Sequence, residues 1–268
     1  MEKRITAFLR DAAFAPGQGY ERDAALMHDV AACLGRMGWG VTLLPETELR
    51  NAARDIDTPV IAMARHPQSL AALRHIQGRG LTVINSAQSL ANSVRAVCIR
   101  RMQDTGIPMP QTVVLDAGCW TSASVAGLAP CWIKRGDICT QGEGDIVFCP
   151  DQACLQATLS DFAGRDASAI VISRHADGRL VKFYGVTGTT FFRAYDVSHA
   201  LVSHPQLEAV CRRAAHAVGL EVWGGDCIID ADGNVWVIDL NDWPSFGCCR
   251  SQAAPVIAAR INQLLCHE

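Results

Sequence analysis

Lysine is nearly missing from this chain of 268 residues: Lys3, Lys134 and Lys182 stand against a Lys+Arg total of 24. Also missing are any C-x-x-C pair, any G-x-G-x-x-G loop, and any apolar run approaching the ~20 residues that span a bilayer. Each absence excludes something. Without C-x-x-C, the 12 cysteines do not form a zinc or dithiol framework. Most stand singly in apolar runs (Cys33, Cys98, Cys131, Cys211, Cys227), where a thiol serves as a small hydrophobe, and the expectation is a reduced, cytoplasmic protein. Without the glycine fingerprint, the N-terminal strands do not announce a dinucleotide site. A formal net charge of -3 argues against a nucleic-acid partner held by bulk positive charge. No basic, apolar leader opens the chain, so neither export nor a membrane partner is expected.

What is present fits a globular α/β protein: 49% hydrophobic and 19% charged residues allow a substantial core. Residues 1–85 alternate strand signals (5–10, 40–44, 59–64, 81–85) with helical periods (21–37, 66–77), as a parallel sheet with crossover helices does. A helix over 86–104 follows, stopped by Gly106-Ile107-Pro108-Met109-Pro110. Beyond it, strands are expected at 111–115, 131–134, 146–149, 169–173, 180–186 and 190–194. Helices are expected at 152–162, 205–218 and 252–265, with a hairpin over 222–240.

The hairpin carries the strongest chemical signal. Asp232-Gly233 is a favoured two-residue turn between apolar strands, and counting outward from it sets Asp226 opposite Asp239. One face then carries Gly225, Cys227, Ile229, Trp236, Ile238 and Leu240; the other carries Asp226, Ile228, Val235, Val237, Asp239 and Asn241. Facing carboxylates repel, and a divalent cation reverses that penalty. Two acids and an amide suit Mg2+, with Mn2+ as a substitute. The alternative is a pair of solvated acids at a sheet edge. Lysine scarcity adds weight. Lys134 ends the apolar run Cys131-Trp132-Ile133, and Lys182 lies within 180–186; a lysine so placed either meets an anion such as a nucleotide phosphate or snorkels to water. Between them, Gln141-Gly142-Glu143-Gly144-Asp145 is either a backbone cradle for phosphates or an ordinary turn.

The order of these parts resembles the ATP-grasp superfamily, which includes D-alanine–D-alanine ligase, glutathione synthetase and the ribosomal-protein glutamate ligases. The likeness runs from Asn85 through Arg95 to Gly106-Ile107-Pro108-Met109-Pro110-Gln111-Thr112, then Trp132-Ile133-Lys134, the glycine loop, Lys182, Gly225-Asp226, and Asp239-Leu240-Asn241 with Pro244. It implies an N-terminal parallel α/β pre-domain (1–85) and a two-lobed α+β ATP-grasp fold (86–268). Within the latter, 86–130 link, 131–173 form the first lobe and 174–268 the second. It further implies that ATP meets Arg95, Lys134, Gln141, Gly142, Gly144, Ser173 and Lys182, with Asp226, Asp239 and Asn241 on the metal. Lys182, Arg193 and Arg250 would act on the reacting groups.

Two departures from the family pattern stand out: Arg95 replaces a common lysine, and no acidic residue near 172–174 is placed for the nucleotide. The activity implied is a Mg-ATP-dependent ligase joining a small carboxylate or peptide to an amine or thiol through an acyl phosphate. Segment 139–145 would close over the phosphates and keep water out. Inositol polyphosphate kinases share the fold and some of the pattern (His175, Arg95, Ile238-Asp239-Leu240-Asn241), so a small-molecule kinase is the rival. A non-catalytic nucleotide-binding protein is the third. Oligomeric state is not readable, and a homodimer is compatible with the sequence.

Overall fold

The protein is described from a computed structural model, which covers residues 2–15, 18–116, 119–137, 144–165 and 167–266. Its N-terminal unit consists of β1 (Lys3–Leu9), α1 (Gly19–Arg36), β2 (Trp39–Pro45), α2 (Glu46–Ala52), β3 (Val60–Ala62), α3 (Pro67–Gly78) and β4 (Val83–Ile84). All its strands are parallel, in the order β2-β1-β3-β4. The alternation of apolar strands and amphipathic helices thus produces the expected parallel sheet. Helix α2 has no counterpart in the sequence reading, because its seven residues offer Leu49 as the single buried apolar anchor.

Two short helices, α4 (Ala87–Asn92) and α5 (Arg95–Asp104), stand where one helix over 86–104 was expected. Val94, with φ -59 and ψ 126, breaks the ladder between them. The Ser93 hydroxyl donates to the Ser89 carbonyl and the Asn92 amide to the Val218 carbonyl, so the break is held by side chains. Its consequence is that Arg95 opens α5 instead of lying mid-helix.

The first lobe has an antiparallel sheet in the order β5 (Thr112–Asp116), β8 (Ala169–Arg174), β6 (Cys131–Arg135), β7 (Ile146–Cys149), backed by α6 (Gln152–Ala163). Leu155, Leu159 and Phe162 of α6 bury against Cys131, Ile133, Ile170 and Ile172, so the opposite face is left to Trp132, Lys134 and Ser173. The second lobe has another antiparallel sheet, ordered β10 (Phe192–Asp196), β9 (Arg179–Val186), β11 (Val222–Ile229), β12 (Val235–Asp242). Val181, Phe183, Cys227, Val237 and Leu240 pack from it onto α5 and α7 (Leu207–Val218).

The closing helix α8 (Arg250–Cys266) returns to the N-terminal unit. Ile257, Ala258 and Ile261 share a core with Leu26, Val30 and Leu34 of α1, and Trp39 Nε1 donates to Asn262 Oδ1 at 3.0 Å. Asn85 makes a second tie: its Oδ1 accepts from the Glu221 and Val222 amides, and its Nδ2 donates to the Val222 carbonyl. Among the described residues the cysteines are free thiols, and no helix is long and apolar enough to cross a membrane.

Candidate nucleotide and metal site

The site is assembled from two sheet faces that look at one another. On the second-lobe sheet, strand pairing sets Tyr195, Lys182, Asp226 and Asp239 side by side across four strands. Two residues further along lies a parallel row of Arg193, Tyr184, Gly224 and Asn241. Facing residues and their i±2 neighbours share one side of a pleated sheet, so both rows present to the same side. Next to the charged row, in the other direction, Leu180 and Ile228 make an apolar floor.

Asp226 does face Asp239, though by a different route from the one the turn suggests. The loop is not the two residues Asp232-Gly233. Asp230 bonds across five positions, its amide donating to the Asn234 carbonyl at 3.0 Å and its carboxylate accepting from the amides of Asp232 and Asn234. Ile229 therefore pairs with Val235, and an irregularity at Asp226/Cys227 leaves Ile238 as the extra residue before Asp226 meets Asp239. Two departures from the simple count cancel at the acids and not between them. Val235 and Val237, expected on the acid face, are buried in the core; Ile238, expected in the core, lines the cleft. Gly225 lets β12 approach closely: a Cβ there would sit 2.1 Å from the Asp239 carbonyl oxygen.

The cleft between the sheets has a volume of about 500 Å³. Trp132, Lys134, Ile146 and Ser173 enter it from the first lobe, and Leu180, Lys182, Asp226, Ile228 and Asp239 from the second. Lys182 Nζ lies 2.9 Å from Asp226 Oδ1, and Lys134 Nζ donates to the Ile238 carbonyl at 3.1 Å. Burial pushes the Asp226 carboxyl above its ordinary range, Lys182 opposes that rise, and the Asp239 charge adds to it. Burial acts on Asp239 in the same sense, but Arg95 and Lys134, with the hydrogen bond from Asn241, outweigh it and hold this acid below the usual carboxylate range. Lys134 itself is lowered, first by burial, against the pull of Asp239.

These donors fit a divalent cation. Asp226, Asp239 and the side-chain oxygen of Asn241 are hard ligands, and Asn241 Nδ2 donates to Asp239 Oδ2 at 3.1 Å. Among the described residues no cluster of three or more His, Cys, Asp or Glu side chains could enclose an ion alone.

The other expected residues are distributed unevenly. Ser173 accepts from Thr112 Oγ1 at 3.0 Å in the cleft wall. Arg95 donates to the Arg135 carbonyl at 2.6 Å and lines a small void behind Asp239 and Asn241. Gly144 has φ +86, and its carbonyl accepts from Arg165 at 3.0 Å. Gln141 and Gly142 lie outside the described residues, as does most of segment 139–145. Arg193 is on the acid face but bonds Gln252 at 3.2 Å and lies over Phe191. Arg250 is brought elsewhere: it pairs with Asp29 of α1 at 2.9 Å, in an open recess with Gln18, Glu21 and Arg22.

Sequence reasoning missed the aromatic end of the cleft as a unit. Trp132 Nε1 donates to His175 Nδ1 at 3.0 Å, and Phe148 stands 5.0 Å from the Trp132 ring. It also missed Glu46 and the buried pair Arg65–Asp242, at 2.5 Å. A charged residue directly after the strand Trp39–Pro45, and a second acid following Asn241, were the available signals.

Two facing α+β lobes behind a parallel α/β unit make the ATP-grasp fold. No protein-family model matches the sequence, and no curated protein matches it. Solved structures do match in fold. The D-alanine–D-alanine ligase from Bacillus anthracis, complexed with ATP, superposes with a TM-score of 0.71 at 13% identity, covering 97% of this chain and 99% of that one. The RimK domain ATP-grasp protein from Sphaerobacter thermophilus gives 0.74 at 15%, covering 96% and 98%. VanG D-Ala:D-Ser ligase from Enterococcus faecalis gives 0.73 at 11%, covering 98% and 99%.

Proposed function

We propose that this chain is a Mg-ATP-dependent ligase that joins a carboxylate to an amine or thiol through an acyl phosphate. The observation that carries the reading is the row Lys182–Asp226–Asp239, faced by Lys134 across a cleft that grades from this charged row to an end where the apolar side chains of Trp132, Leu180 and Ile228 stand beside Arg174, His175 and Asp177. Such a gradient suits a nucleotide, with its base against Trp132, Leu180 and Ile228 and its phosphates at the charged row. Lys134, Lys182 and Arg95 would neutralise phosphoryl oxygens, and the buried setting of Lys134 and Asp239 makes their charges count for more than in water. Asp226, Asp239 and Asn241 would hold Mg2+, which supplies charge neutralisation on the transferred group.

In the first step a carboxylate oxygen of the acceptor forms a bond to the γ-phosphorus as the bond to ADP breaks. In the second an amine or thiol attacks the acyl carbon, the carbon–oxygen bond breaks, inorganic phosphate leaves, and the nucleophile's proton passes to solvent. The protein's part is to align these groups and exclude water.

Incubation with Mg-ATP, panels of small acids and amines, and inositol phosphates, followed by ADP and phosphate analysis, tests this. Free phosphate that depends on both acid and amine is expected. Phosphate retained on the product would replace the ligase with a kinase, and nucleotide binding without turnover would leave a non-catalytic protein.

A further inference from the structure

The N-terminal sheet contains a second cavity, of about 430 Å³, lined by Phe14, Ala64, Arg65, Leu70, Arg74 and Asp137 among others. Its position follows from topology. From β1 the chain crosses to β2 on one side, and from β3 it crosses to β4 on the other, so the crevice beyond the carboxyl ends of β1 and β3 is the switch point of the sheet. At such a point the connecting segments diverge and leave a hollow. Phe14 follows β1, and Ala64 and Arg65 follow β3.

The hollow is built rather than accidental. Glu46, fully buried outside the cavity lining, ties together the segments that follow β1 and β3: one carboxylate oxygen accepts from the Asp11 amide at 3.0 Å, the other from the amides of Arg65 and His66 at 2.9 and 2.8 Å. Both lips are therefore pinned to one carboxylate, and the backbone of Arg65 is set by it. The Arg65 guanidinium lies 2.5 Å from buried Asp242, the residue after Asn241. The crevice floor thus adjoins the charged row of the nucleotide cleft through a single side chain.

The charges in the hollow do not cancel. Asp137 is neutralised by Arg135, at 2.8 and 3.3 Å, and accepts from the Ser168 amide. Asp242 answers Arg65. Arg74, exposed two turns into α3, adds a positive charge at the rim, while Phe14, Leu70, Val94 and Val97 make apolar walls between. An arginine is suited to a planar, doubly oxygenated anion.

We infer that this crevice holds the acceptor, and that the acceptor is doubly acidic: one carboxylate is presented past Arg65 toward the charged row, and a second anionic group at the far end of an apolar spacer is gripped by Arg74. The word acceptor rests on the ligase reading; the preference of the crevice for a doubly anionic ligand does not. Arg65 and Arg74 are positioning and specificity residues here, with Glu46 fixing the first.

Matched probes test the inference by titration calorimetry at constant ionic strength: glutarate against its half-amide, and phosphoserine against serine. The doubly anionic member of a pair should bind the wild-type protein about tenfold more tightly, the gain typical of one charge-assisted contact. Arg74→Ala, at an exposed position, should erase the difference while leaving binding of a non-hydrolysable ATP analogue unchanged. The responding pair tells whether the second group is carboxylate or phosphate. Equal affinities within both pairs, or a preference that survives Arg74→Ala, overturns the inference. Arg74-dependent binding without amine-dependent phosphate release would support the crevice and remove the ligase; amine-dependent release with no charge preference would do the reverse.

Discussion

Lys134 and Lys182 serve the same two carboxylates from opposite lobes, yet they are different kinds of lysine. Lys182 is half exposed and paired directly with Asp226. Lys134 is largely buried, lowered by that burial, and held by the Ile238 carbonyl with Asp239 as its main counter-charge. The acids differ in the same way: Asp226 is pushed up and answered by a solvated lysine, whereas Asp239 is held ionised by Arg95 and Lys134. One half of the row is therefore adjustable and the other locked. A cation entering the site would meet a fixed charge at Asp239 and could displace Lys182 from Asp226.

The largest expected effect separates the acids. Asp226→Ala and Asp239→Ala should each lower Mg-ATP turnover by about 100-fold or more, the scale of losing one preorganised electrostatic group. Their stabilities should diverge. Asp239→Ala leaves Arg95 and Lys134 without their shared counter-charge and should cost on the order of 3 kcal/mol, whereas Asp226→Ala leaves a lysine that water can reach. Urea unfolding of both variants measures this. Equal stabilities would break the distinction between locked and adjustable halves, and near-normal turnover in both would remove the acid row from the chemistry.

A smaller effect sharpens the comparison of the lysines. Lys134→Met and Lys182→Met should each weaken binding of a non-hydrolysable ATP analogue by about tenfold, as expected for one charge-assisted contact. Lys134→Met should keep its apolar stem packed but lower the melting temperature, because it leaves buried Asp239 with Arg95 as its remaining main counter-charge. Unchanged affinity in both would leave these lysines as snorkelling residues with no phosphate partner.

The smallest effect concerns the turn that sets the register. Asp230, lowered to about 2 first by its hydrogen bond from Trp236 and then by that from Asn234, contributes stability above its unfolded pKa that is lost as pH falls through the folded one. Asp230→Ala should remove that acid-dependent part of the melting curve between about pH 4 and pH 2, with turnover at neutral pH nearly unchanged. A large loss of turnover would mean that the turn, and not the bulge at Ile238, holds Asp226 against Asp239.

The hairpin also shows how far the sequence could be read. Asp232-Gly233 correctly marked a reversal between two apolar strands, and the opposed acids followed from it. The faces of Val235, Val237 and Ile238 did not, because period 2 cannot reveal a residue that bulges out of the ladder. The helix break before Arg95 was equally hidden: Val94 carries no breaker signal, and the bonds that hold the break reach across to α7. Helix α2 was too short to show a period.

The residues by themselves determined the alternation of strands and helices, the parallel N-terminal unit and the opposed acids of the hairpin, since periodicity, turn chemistry and charge are local properties. Tertiary structure decided everything that depends on two distant segments meeting. It placed Lys134 under the strand of Asp239, turned Arg250 toward Asp29 on α1, joined Arg65 to Asp242, and drew Asp11 and Arg65 onto Glu46. The reason is physical: a buried charge takes its partner from whichever strand or helix packs against it, and that neighbour is chosen by the burial of apolar faces rather than by any pattern around the charge itself.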